Sequence, residues 1–195
     1  MKTVCIGILV ALSICLPFFI GYPFINQNIE GISICVAGLG SLLLAMEGTS
    51  AKKLEGSFLR NILRTAFPAG LFLALTACLP YVAYAVGLTQ SPREMAIICM
   101  NIAAVVVFNE ICQPTNRYRR WSIFIVTLMT LIAIIVPAVI PGSEKYFFIV
   151  ENSKLQEFTG ADGVFCATVI MGSVYAYRAL IKVFKKIIPF EAKQR

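Results

Sequence analysis

Thr3 to Ile29 contains no charged side chain, and neither does Ala66 to Ser91 or Trp121 to Gly142. Each run exceeds the roughly 20 residues that an α-helix needs to cross a hydrocarbon core about 30 Å thick. In lipid every backbone polar group must be satisfied within the chain, so runs of this kind fold as helices packed on helices. Three further runs are shorter and have polar ends: Gly31 to Met46, Met95 to Asn109, and Gly163 to Tyr177, continuing past Arg178 to Phe184. The expected fold class is therefore all-α: a polytopic membrane bundle of six transmembrane helices, forming one domain over residues 1–195. The first run is read as a span and not as a signal peptide, because it is too long and no small-x-small cleavage site closes it.

Basic residues set the expected orientation, since lysine and arginine are retained on the cytoplasmic side. With six crossings, one set of loops holds Lys2, Lys52, Lys53, Arg60, Arg64, Arg117, Arg119, Arg120, Arg178, Lys182, Lys185, Lys186, Lys193 and Arg195. The other set holds Arg93, Lys145 and Lys154, so fourteen of the 17 basic residues share a side and both termini are expected inside. The net charge of +7 is then accounted for by topology and by attraction to anionic lipid. No nucleic-acid site is read into it.

Along the chain the expected spans are Lys2 to Ile20, Ile29 to Met46, Ala66 to Tyr84, Glu94 to Cys112, Trp121 to Ile140, and a last one ending in "YRALIKVFKK". A cytoplasmic joint covers 47–65 and an outer loop 141–160. Phe58, Leu59, Ile62 and Leu63 recur at helical spacing in the joint while Arg60 and Arg64 share another face, so this piece is expected to lie at the interface before span three begins. Pro68 falls near the expected start of that span, where proline costs least. Span two is rich in small residues: Gly31, Ser33, Ala37, Gly38, Gly40 and Ser41. They suit either close helix packing or a local unwinding that exposes carbonyls.

The chain has no histidine and a single aspartate, Asp162. A Ser/His/Asp triad, a His-ligated metal and a paired-aspartate site are all excluded within it, and no glycine-rich phosphate loop with a lysine occurs. The seven cysteines lie within or at the ends of spans with no Cys-x-x-Cys spacing, as expected of small packing residues. Functional candidates are then the polar groups inside or near the bilayer. Asn101 stands in the middle of span four, Glu94 lies seven residues earlier on nearly the same face, and Asn109 and Glu110 close the span. Glu30 and Ser33 in span two, and Ser13 in span one, have similar standing. Their oxygens suit a hard cation such as Ca²⁺ or Mg²⁺. The competing reading has Asn101 bonding a neighbouring helix and the others solvated or capping helix ends.

The segment from "MKTVCIGILVALSICLPFFIGYPF" through "AMEGTSAKKLEGSFLRNILRTAFPAG" resembles the membrane region of bacterial P-type cation-transporting ATPases, from their fifth transmembrane helix onward. In that family the sixth helix ends in a motif of the form Leu-Glu-Pro-Asn, followed by basic residues, "GxFLxN" and a proline at the start of the seventh. Glu47, Gly56, Phe58, Leu59, Asn61 and Pro68 keep the pattern, whereas Gly48 and Thr49 replace the Pro-Asn pair. "ICQPTNRYRRW" is similar to the turn between helices eight and nine. The position matching an acidic ligand of the calcium pumps is Ala37, and that matching an asparagine is Ser33. No Cys-Pro-Cys is present, which disfavours a soft-metal pump.

The resemblance implies helices five to ten of an ATP-driven translocase in the plasma membrane. The ion pathway would be here, while Mg²⁺ and ATP would be bound by a catalytic P-type partner. The Asp-Lys-Thr-Gly-Thr phosphorylation motif is absent, so the chain by itself binds no cofactor and has no catalytic residues; it is expected to be a fragment or split subunit. Its expected partners are the bilayer, that catalytic portion and a transported cation. The alternative is a stand-alone six-helix membrane protein with a structural or accessory role.

Overall fold

A computed structural model describes residues 33–47, 58–89, 91–140 and 160–187. A π-helix, Ser33–Gly38, leads directly into α1, Leu39–Ala45. Four long helices follow: α2, Phe58–Ala85; α3, Pro92–Ile111; α4, Arg117–Val139; and α5, Gly160–Ile187. All four are long and apolar enough to cross a membrane. No strand occurs among the described residues, so the expected all-α bundle holds for them. The first expected span, most of the joint and the outer loop lie outside the described residues.

α3 is the axis of the bundle. It is packed on one side by α2 and α5, and on the other by α4 and the π-helix. Met95, Ala96, Ile97, Cys99, Met100, Ala103, Ala104, Val107 and Phe108 are buried almost all round it, leaving no polar stripe. Its most extensive partner is α2, which offers Ala69, Ala74 and Ala77 to the core that also holds Ala96, Ala103 and Ala104. Alanine against alanine lets two backbones approach closely, which is how helices gain packing energy where lipid competes for every larger side chain. α4 and α5, by contrast, leave large apolar side chains outside, among them Trp121, Phe124, Met171 and Tyr175. Exposure of that kind suits an acyl-chain solvent.

Element boundaries show how the ends are made. α2 begins at Phe58, so the segment expected at the interface is instead the first turns of one unbroken helix. Pro68 and Pro80 consequently sit in its interior, where each leaves the carbonyl four residues earlier, at Arg64 and Thr76, without its helical donor. α2 stops at Gly87, whose φ of 79° is left-handed. Leu88 N–H donates to Ala83 O and Gly87 N–H to Tyr84 O, both at 2.9 Å, the paired closure of a Schellman motif. Pro92 then opens α3 at a position where its missing N–H costs nothing. α4 starts four residues earlier than Trp121, because the Asn116 side chain accepts from Arg117 N–H at 2.8 Å and caps a first turn made of the basic residues.

The bundle thus has two ends. A turn end carries residues 86–89, Ser91 and the start of α5, and a basic end carries Glu47 and Arg117 to Arg120. The ring of Phe67 lies 5.5 Å from that of Phe184, and the ring of Phe72 lies 4.9 Å from that of Tyr177. These pairings run in opposite directions along the two helices, so α2 and α5 are antiparallel.

Candidate functional site

Polar side chains in an apolar helix either satisfy themselves locally or need a partner. Thr76, Ser122, Thr127, Thr130 and Thr168 take the first course: each hydroxyl donates to the carbonyl four residues back, at 2.7–3.1 Å. None is left as a free donor. Asn101 differs. It is fully buried, and its Nδ2 donates to Ile97 O of its own helix at 2.8 Å. Its Oδ1 has no hydrogen-bond partner among the described residues. A buried acceptor left unpaired costs about 1–3 kcal/mol. Among the described residues no neighbouring helix bonds this side chain.

Glu94 is also buried, in the first turn of α3, where a carboxylate complements the helix dipole. Arg93 and Glu94 both lie near enough to Tyr81 of α2 to act on it electrostatically. Glu94 and Asn101 share a face, but seven residues of helix separate them by about 10 Å. Hard cations hold their ligands at roughly 2.3–2.6 Å, so these two side chains cannot meet on one ion. They are two stations along α3.

The remaining candidates separate further. Glu110 is held at the basic end by Arg178 of α5, Nε to Oε1 2.6 Å. Asn109 beside it is half-buried. Ser33 opens the π-helix, and Glu30 and Ser13 lie outside the described residues. Among the described residues no group of three or more Cys, Asp or Glu side chains is arranged to hold a metal ion. Ala37, matched by the resemblance to an acidic ligand, is exposed.

The two explanations for the glycines of span two divide between positions. Gly40 is a packing residue: a Cβ there would stand 2.6 Å from Cε2 of Phe108 on α3. Ser33 to Gly38 is where the helix departs from α geometry, forming the wider π turn that often marks functional segments. Both lie against α3, the helix that also carries Asn101.

Sequence reasoning missed a tie at the basic end. Arg119 Nε of α4 donates to both oxygens of Glu47, at 2.8 and 3.1 Å, and its Nη1 donates to Pro114 O at 3.1 Å. Tyr118 Oη donates to Leu43 O at 2.9 Å, supplying one of the carbonyls that the end of α1 leaves unpaired. The thiol of Cys112 lies near enough to both Arg119 and Glu47 to feel their charges. Some 70 residues separate Glu47 from Arg119, and no local pattern encodes that contact. No family model, no curated protein and no solved structure matches the chain.

Proposed function

We propose that this chain is the ion-pathway portion of a P-type cation-transporting ATPase, six helices with both termini inside, working in the cell membrane with a separate catalytic polypeptide. The reading rests on the resemblance around "MEGTSAKKLEGSFLRN". The observation that supports it most is Asn101: a fully buried amide whose oxygen has no partner among the described residues, on the helix against which the π-helix packs. An acceptor of this kind in an apolar bundle is costly unless something else uses it. A dehydrated cation passing along α3 is a suitable occupant. Glu94, two turns away, supplies charge at the turn end.

The ligand set would be completed by residues of the catalytic portion, which would also hold Mg²⁺ and ATP. The test is co-expression with a polypeptide carrying the phosphorylated aspartate, followed by purification and assay of cation-stimulated ATPase activity. Asn101→Leu should insert normally and abolish that stimulation. A specific observation favours the accessory alternative: Glu47 and Glu110 are both tied to arginines, as in a bundle built for rigidity. Absence of a co-purifying partner and of any cation response would select that alternative.

A further inference from the structure

α4 has two unlike faces. It packs on α3, α1 and the π-helix, and the residues it buries, Ser122, Val126, Thr130 and Ala133, recur at helical spacing on one side. Arg117, Arg120, Trp121, Phe124, Leu128 and Leu131 recur at the same spacing on the opposite side, and all six are exposed among the described residues. Along this outer stripe the character changes in order. Two arginines stand at the basic end, then the edge-to-face rings of Trp121 and Phe124, 6.0 Å apart, then aliphatic side chains alone. From Arg117 to Leu131 the stripe is about 21 Å long, the depth of one leaflet in a bilayer of roughly 40–45 Å with its headgroups.

The arginines stand against the local field. A helix N-terminus carries partial positive charge from its unpaired N–H groups, and the first turn of α4 holds no acidic residue. Arg117, Arg119 and Arg120 add to that charge. Arg119, on the other face, is neutralised by Glu47. The remaining ion pair of the described residues joins Arg178 to Glu110, so Arg117 and Arg120 have no acidic partner among them. Two uncompensated cations above an apolar stripe are complementary to a molecule with an anionic head and an apolar tail.

We propose that this outer face of α4 is a binding site for an anionic phospholipid. The guanidinium groups of Arg117 and Arg120 hold its phosphate through paired N–H donors. The rings of Trp121 and Phe124 lie at the level of the glycerol esters, where aromatic side chains gather in membranes, and the acyl chains run along Leu128 and Leu131. A zwitterionic lipid offers the same tails but brings its own cation towards the arginines, so net charge is what the site selects. The inference rests on α4 crossing a bilayer and is independent of the transport reading.

Trp121 is the only tryptophan in the chain, so its fluorescence reports on this face alone. The full chain is reconstituted in phosphatidylcholine vesicles in which a minor part of the lipid has brominated acyl chains, which quench tryptophan on contact. Brominated phosphatidylglycerol should quench Trp121 more than brominated phosphatidylcholine at the same fraction, by an amount equivalent to roughly fivefold tighter association, the effect of about one basic residue engaged at an anionic surface. High salt should shrink the difference. Arg117→Gln combined with Arg120→Gln should bring the two lipids close to parity. Lys182→Gln combined with Lys186→Gln, an equal loss of charge on α5, should leave the preference intact. Equal quenching by both lipids in the parent chain would overturn the proposal, as would a preference that survives the arginine variant or is lost equally in the lysine variant. Quenching by neither lipid would show that polypeptide, from this chain or a second copy, covers the face, and would overturn it too. The parent-chain comparison decides the matter even where a variant inserts poorly.

Discussion

At single residues the structure turns composition into specific costs. Gly40 has space for a hydrogen only, since Phe108 closes on it and is itself buried. Gly40→Ala should lower thermal stability by about 1–3 kcal/mol, the usual cost of overpacking, and Phe108→Leu in the same chain should recover part of it. Loss of the effect in a melting experiment would show that the ring moves freely. Asn101 predicts the opposite sign. Replacing a buried amide whose oxygen has no partner among the described residues by an apolar side chain of similar size is neutral or stabilising, by up to about 1–3 kcal/mol. Asn101→Leu should therefore melt no lower than the parent even as it loses cation-stimulated turnover. A marked drop in melting temperature would make Asn101 a structural residue after all. Its midspan position was legible in the sequence. Which of its polar atoms is satisfied was not, because that depends on the rotamer and on the residues of other helices.

Among the elements, those with strong local signals were read well and those that depend on neighbours were not. The apolar run Met95 to Phe108, interrupted only by Asn101, announces α3, whose expected start at Glu94 falls two residues after the observed one at Pro92. The helical spacing of Phe58, Leu59, Ile62 and Leu63 was equally legible, but whether such a segment lies flat or continues a span depends on what it packs against. Here it continues α2, and Pro68 becomes an interior proline. The termination of α2 was available in principle, as Gly87 followed by Pro92 is the usual stop and restart. Gly87→Ala should cost about 1 kcal/mol, because only the left-handed φ of 79° is at stake and nothing lies within 4 Å of the added methyl. Gly87→Asn should cost less. Equal losses in both variants, measured by thermal unfolding, would mean that the Schellman closure does not define the turn.

For the whole molecule the fourteen-to-three split of basic residues carries the proposed topology of six crossings. Changing Lys52, Lys53, Arg60 and Arg64 together to glutamate should disturb the expected inside placement of the segment that leads into α2. Cysteine-accessibility labelling that still finds the segment inside would refute that. Helical class and the apolar character of the four long helices were determined by the sequence alone, because lipid admits only internally hydrogen-bonded segments and length is set by bilayer thickness. Tertiary structure alone decided that α3 is the axis, that Glu47 meets Arg119, and that Glu110 meets Arg178. Every helix here is apolar enough to face either lipid or protein, and hydropathy cannot choose between them. Only shape and the few polar contacts between distant residues make that choice.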